Sequence, residues 1–138
     1  MNGARRRVSS WARFLYWYTI VGAGGCGLLI VLLPSAFAAA FGLPGQDPYI
    51  LGMMGSVFLA FSAVAAWGLR CAARFAPIFL VQFGYKSIWL IAVLVPRLVA
   101  GPPAPFYAWV MAGIFATYVA LDVLVIRSQG LLRGEPGE

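Results

Sequence analysis

Histidine is absent from the 138 residues, and cysteine occurs only twice. The first absence removes the commonest general base and the commonest ligand for haem, zinc and copper. The second leaves no CxxC pair, no thiolate cluster for an iron–sulfur centre and no disulfide framework. Neither a metal nor another cofactor is therefore expected. Charge is scarce as well: 10% of the residues are charged, whereas soluble domains carry roughly 25%. So few charges cannot clothe a water-soluble globule. Disorder is excluded from the other direction, because disordered chains are poor in apolar and aromatic residues. Here 62% of residues are hydrophobic and 15% aromatic, with a mean hydropathy of +0.88. The composition is that of an integral membrane protein, and the length suits one domain.

Four apolar runs account for most of the chain, at about residues 11–33, 49–69, 77–95 and 106–126. A bilayer core requires roughly 20 residues of helix, whereas barrel strands run to about 9–11 residues with strict alternation. These runs are too long for strands and do not alternate, so they read as helices. The first run is also longer than the roughly 7–15 apolar residues of a signal-peptide core, and it is expected to be retained. Between the first two runs, Pro34, Gly42, Pro44, Gly45 and Pro48 mark a loop. Within it, residues 35–41 can form a short helix lying in the interface, with Phe37 and Phe41 on one face. Residues 97–105, with Pro102 and Pro103, form another loop, and the tails 1–10 and 127–138 are expected to be flexible.

Orientation follows from the basic residues at the ends of the runs. Arg5, Arg6, Arg7, Arg13, Arg70, Arg74, Arg127 and Arg133 share one side, against Arg97 alone on the other. Both termini are therefore expected in the cytoplasm. The net charge of +6 is thereby a topology signal and a grip on anionic lipid, and nucleic acid is not an expected partner. Trp11, Phe14, Tyr16, Trp17 and Tyr18 at one boundary, and Phe37, Phe41, Tyr49, Phe106, Tyr107 and Trp109 at the other, suit headgroup depth.

Helix association in lipid relies on close packing and hydrogen bonds. Gly22, Gly25, Gly52, Ser56 and Ala116, within small-xxx-small patterns, are the expected packing positions. The two cysteines lie at different depths, too far apart for the roughly 4.4–6.8 Å Cα spacing of a disulfide.

One constellation could carry chemistry. Lys86 lies roughly 18 Å along its helix from Arg74, at 1.5 Å per residue. A charge that deep costs at least about 2.5–3.5 kcal/mol and ordinarily has a partner. Apart from Arg13 near the start of the first run, Asp122 is the only other charged residue inside a run. Side chains tilt toward their own N-terminus, so Lys86 and Asp122 lean toward each other from antiparallel helices, and a buried charge pair is expected. Gln82, Tyr85 and Trp89 share the face of Lys86, Tyr118 sits one turn from Asp122, and Tyr18 is placed to donate to Asp122. Two readings of this group stand: a coupling or ligand site in the membrane interior, or a neutral pair that locks helix register.

The Pro34-terminated first run, the turn Phe41-Gly-Leu-Pro44, the segment Tyr49-Ile-Leu-Gly-Met-Met-Gly55 and Tyr85-Lys-Ser-Ile-Trp-Leu90 resemble the uncharacterised bacterial four-helix membrane proteins grouped with the DoxX-like families. The resemblance spans most of residues 14–126. It implies a four-helix bundle in the bacterial inner membrane and brings no established activity or functional residue. The lack of histidine departs from any redox-subunit role that needs a haem ligand. The expected function is a small binding or accessory protein that associates with membrane lipids and with a membrane-protein partner, with itself, or with a lipophilic ligand. The alternative is a small homo-oligomeric transporter using the Lys86–Asp122 pair. Catalysis is not expected, because pairing with Asp122 would keep Lys86 charged and so unfit as a base.

Overall fold

A computed structural model describes residues 10–129, apart from the side chains of Ala73 and Gln129. Its elements are α1 (Ser10–Leu32), α2 (Pro34–Phe41), α3 (Pro48–Gly68), α4 (Ala72–Phe75), α5 (Ile78–Ile88), a π-helical segment (Trp89–Leu94), α6 (Val95–Ala100) and α7 (Phe106–Gln129). No strand occurs among the described residues. Four helices are long and apolar enough to cross a membrane: Ser10–Leu32, Pro48–Gly68, Ile78–Ala100 and Phe106–Ser128. The expected all-helical chain with four long apolar helices is what forms. Their outward faces carry large apolar side chains such as Val21, Leu32, Ile50, Ile88, Ile91 and Val99, which water would not tolerate in such density.

The expectations for the tails fall mostly outside the described residues, although 127–129 continue α7. The third long helix differs from its expected end at Val95: it runs on to Ala100, so Arg97 is helical. Proline inside a helix lacks a donor and crowds the carbonyl four residues back. Here Pro96 falls in the first turn of α6, directly after the wider π turn, which gives its ring room without breaking the rod.

The connections are specified locally. Pro34 opens α2, and Gly42, at φ 62°, closes it in the left-handed region that glycine adopts without strain. The Gly42 amide donates to Ala39 O at 3.2 Å and the Leu43 amide to Ala38 O at 2.9 Å, a Schellman closure. Asp47 caps α3, its carboxylate accepting from the Tyr49 and Ile50 amides at 2.9 and 3.1 Å, and Pro48 sits where no helical N–H is needed.

In the bundle, α1 packs antiparallel on α3, and α5 antiparallel on α7. The α1–α3 seam is built on glycine. Gly27 backs onto the main chain at Gly55 and Leu59, Gly24 onto Ser62, and Gly68 onto the ring of Tyr16. Of the positions expected to pack, Gly22 faces the Tyr118 hydroxyl, but Gly25 and Gly52 have no neighbour where a Cβ would stand. Ser56 and Ala116 are exposed, and the Ser56 hydroxyl returns to its own helix at Gly52 O, 2.9 Å away. The cause is angular. Successive residues turn by about 100°, so the face of α1 that holds Gly24 and Gly27 turns Gly25 aside.

The core clusters near the start of α1, where Ala12, Leu15, Tyr16, Ala65, Phe79, Tyr118 and Val125 meet. Tyr16 stacks on Phe79 at 4.6 Å between ring centroids and donates from its hydroxyl to Ala72 O at 2.9 Å. This contact joins α1 to α5 across the bundle and holds them in parallel register for the site above.

Candidate functional site

Gln82, Tyr85 and Lys86 stand at i, i+3 and i+4 and therefore share one face of α5. That face turns inward, leaving Gln82 1% and Lys86 3% exposed. Lys86 Nζ donates to Gln82 Oε1 at 3.2 Å, one turn below. The Thr19 hydroxyl on α1 lies 3.3 Å from Gln82 Nε2 and 3.4 Å from Oε1. The pair keeps the offset that joins Tyr16 to Phe79, so the same parallel register sets both contacts. A buried polar chain thus runs from α1 through Gln82 to the ammonium of Lys86. Aromatic faces complete the ammonium's surroundings, with ring centroids at 4.0 Å for Tyr118, 4.5 Å for Tyr85 and 5.9 Å for Phe115. Each such contact is worth about 0.5–2 kcal/mol, the more so when desolvated.

Asp122 is fully buried, and neither carboxylate oxygen has a hydrogen-bond partner. The direct Lys86–Asp122 contact expected from the sequence is not made, and the α5–α7 register explains why. Tyr85 and Trp89 both meet Phe115 edge-on, at 5.9 and 5.2 Å between centroids, and Lys86 lies against Tyr118. Asp122 is one turn further along α7, about 5.4 Å, and the ring of Tyr118 takes up the reach of the lysine. The two groups remain within electrostatic range of each other.

Tyr18 does not donate to Asp122 either. Its hydroxyl pairs with Thr117 Oγ1 at 3.0 Å, while the Tyr118 hydroxyl donates to Tyr18 O at 3.1 Å. The two tyrosine rings stack at 4.5 Å, fastening α1 to α7.

These side chains line a partly open cavity of about 170 Å³ between the long helices. All four long helices contribute to it: Tyr18, Thr19, Ala23 and Cys26 from α1, Phe58 and Phe61 from α3, Gln82, Tyr85 and Lys86 from α5, and Met111, Phe115 and Tyr118 from α7. Trp89, expected beside Lys86, belongs instead to a separate cavity of about 460 Å³ bounded by Arg97, Pro102, Pro103 and Tyr107. Thr19, Phe115, Phe58 and Phe61 were not among the expected site residues. Thr19 carried a usable signal as a polar residue within an apolar run, and Phe115 as the i−3 neighbour of Tyr118. The phenylalanines of α3 carried none, because nothing sets them apart from residues facing lipid.

No cluster of three or more His, Cys, Asp or Glu able to hold a metal occurs among the described residues. Cys26 and Cys71 are both free thiols. The arrangement offers one cation, one amide and several ring faces around an apolar space, a binding chemistry. No family model, curated protein or solved structure matches the chain.

Proposed function

We propose that this chain is a small binding protein of the bacterial inner membrane that holds a lipophilic ligand between its four long helices. The observation that carries the reading is the central cavity, with all four helices in its wall. Ligand sites in bundles are typically apolar chambers with a few placed polar groups, and this wall combines aromatic rings with Thr19, Gln82 and Lys86. The orientation proposed is both ends cytoplasmic, with α2 at the opposite interface. Arg13 and Arg70 flank one hollow at the start of α1, whereas Arg97 lines the cavity toward the other end, as a charge-sorted topology requires. The resemblance to DoxX-like proteins supports the same architecture.

The test is ligand-dependent stability. Toluene or benzyl alcohol should raise the unfolding temperature of the purified protein in mild detergent. Ala23→Leu, which places extra carbons in the cavity, should abolish that gain while leaving the fold intact. No stabilisation by any small lipophile overturns the proposal. Transport by a homo-oligomer is the alternative, favoured by the unpartnered buried carboxylate of Asp122. Proton-driven uptake into proteoliposomes that is lost in Asp122→Asn would establish it.

A further inference from the structure

Lys86 supplies the one cationic group in the wall of the central cavity. Its ammonium has three N–H donors, and one is directed to Gln82 Oε1. What else surrounds it is ring surface: Tyr118 and Tyr85 within 4.5 Å and Phe115 slightly beyond. A desolvated ammonium held by one neutral amide and ring faces lacks the anion that buried cations ordinarily acquire. Asp122 does not fill that role. It sits one turn away along α7, does not line the cavity and makes no hydrogen bond to Lys86.

Size and wall chemistry narrow the missing group. The cavity measures about 170 Å³, and a dry cavity of about 150 Å³ accommodates a single benzene ring. A bare inorganic anion would leave most of that apolar space empty, and the cavity holds only a short part of a long-chain fatty acid. Phe58, Phe61 and Phe115 offer ring faces and edges, which favour a planar aromatic partner in offset or edge-on contact.

We infer that the central cavity takes a small lipophilic carboxylate of single-ring size, its carboxylate on Lys86 Nζ and its ring among Phe58, Phe61 and Phe115. This inference rests on the ligand-binding reading above and names the ligand's class. The carboxylate occupies the N–H donors not used by Gln82, and the apolar body fills the chamber.

The experiment titrates the full-length protein, in uncharged detergent at neutral pH, with benzoate, with its neutral isostere benzyl alcohol, and with chloride, reading thermal stability and tryptophan fluorescence. Benzoate should bind more tightly than benzyl alcohol by about tenfold or more, the factor equivalent to about 1.4 kcal/mol, and chloride should not compete. Lys86→Met should abolish the preference for benzoate while retaining benzyl alcohol. Benzoate binding no tighter than benzyl alcohol, an unchanged preference in Lys86→Met, or displacement by chloride would each overturn the carboxylate assignment while leaving the cavity a lipophile site. Failure of both aromatic probes would overturn the binding reading itself. Should Lys86→Met not fold, the comparison of the three probes on the unaltered protein still decides.

Discussion

The glycine seam between α1 and α3 allows a sharp comparison between two alanine substitutions two residues apart. A Cβ on Gly27 would stand 2.9 Å from Gly55 O and 3.0 Å from both Leu59 N and Leu59 Cγ. Favourable carbon contacts lie at about 3.5–4.0 Å, and two of these three neighbours are main chain, which cannot rotate away. The helices must therefore separate by a sizeable fraction of an ångström along a seam that also includes Gly24 against Ser62 and Gly68 against Tyr16. Overpacking of this kind costs about 1–3 kcal/mol. On Gly25 the same methyl meets nothing within 4 Å. Replacing glycine by alanine within a helix itself contributes about 1 kcal/mol of stability, and that gain is common to both variants, so it cancels between them. Gly27→Ala should thus be less stable than Gly25→Ala by about 1–3 kcal/mol. Equilibrium unfolding in mixed SDS and mild detergent measures the difference directly. Equal stabilities would mean that α1 and α3 do not approach through Gly27, and the antiparallel register described above would fall with it.

Because Lys86 and Asp122 do not touch, a double-mutant cycle between Lys86→Met and Asp122→Leu should give a coupling well below the about 3–5 kcal/mol lost when a contacting buried pair is broken; a coupling that large would place them in contact. Gln82→Leu removes the acceptor of Lys86 and the partner of Thr19 together, and should cost about 2–4 kcal/mol in the same unfolding assay, whereas Thr19→Val should cost only about 1 kcal/mol. Indistinguishable effects would show that Gln82 does not bridge the two. Reporter fusions after Gly45 and Gly101 should read as external and those after Arg74 and Glu138 as internal, and a reversal at any of the four would overturn the orientation drawn from the arginines.

The four long helices were legible because their apolar runs exceed any strand and each is bounded by proline, glycine or arginine. Where the polar face of α5 points was legible too, since Gln82, Tyr85 and Lys86 can be buried together on one side only. What the pattern does not contain is the axial alignment of one helix against another. Gly22, Gly24, Gly25 and Gly27 offer several possible seams, and only the contacts with Gly55, Ser62 and Leu59 select Gly24 and Gly27. The same missing coordinate separated Lys86 from Asp122. The leaning of the two side chains follows from helix geometry alone, whereas the edge-on contacts of Trp89 and Tyr85 with Phe115 set Lys86 beside Tyr118 and leave Asp122 a turn beyond. The extension of the third helix past Pro96 escaped for a different reason: proline ordinarily ends or kinks a helix, and a π turn that makes room for it has no residue signature of its own.

That turn has a mechanical consequence. A π segment accommodates one residue more than the α-helical path around it, as though an insertion had been absorbed without interrupting the rod. Trp89–Leu94 therefore acts as a phase shifter between the half of the helix that carries Lys86 and the half that carries Arg97. Relaxing that turn to ordinary α-helix with every residue kept would rotate Arg97 by about 100° around the axis, whereas deleting one residue would remove the surplus and leave Arg97 in phase with Gln82, Tyr85 and Lys86. The outer cavity and the central one can accordingly be retuned separately, even though a single continuous helix serves both.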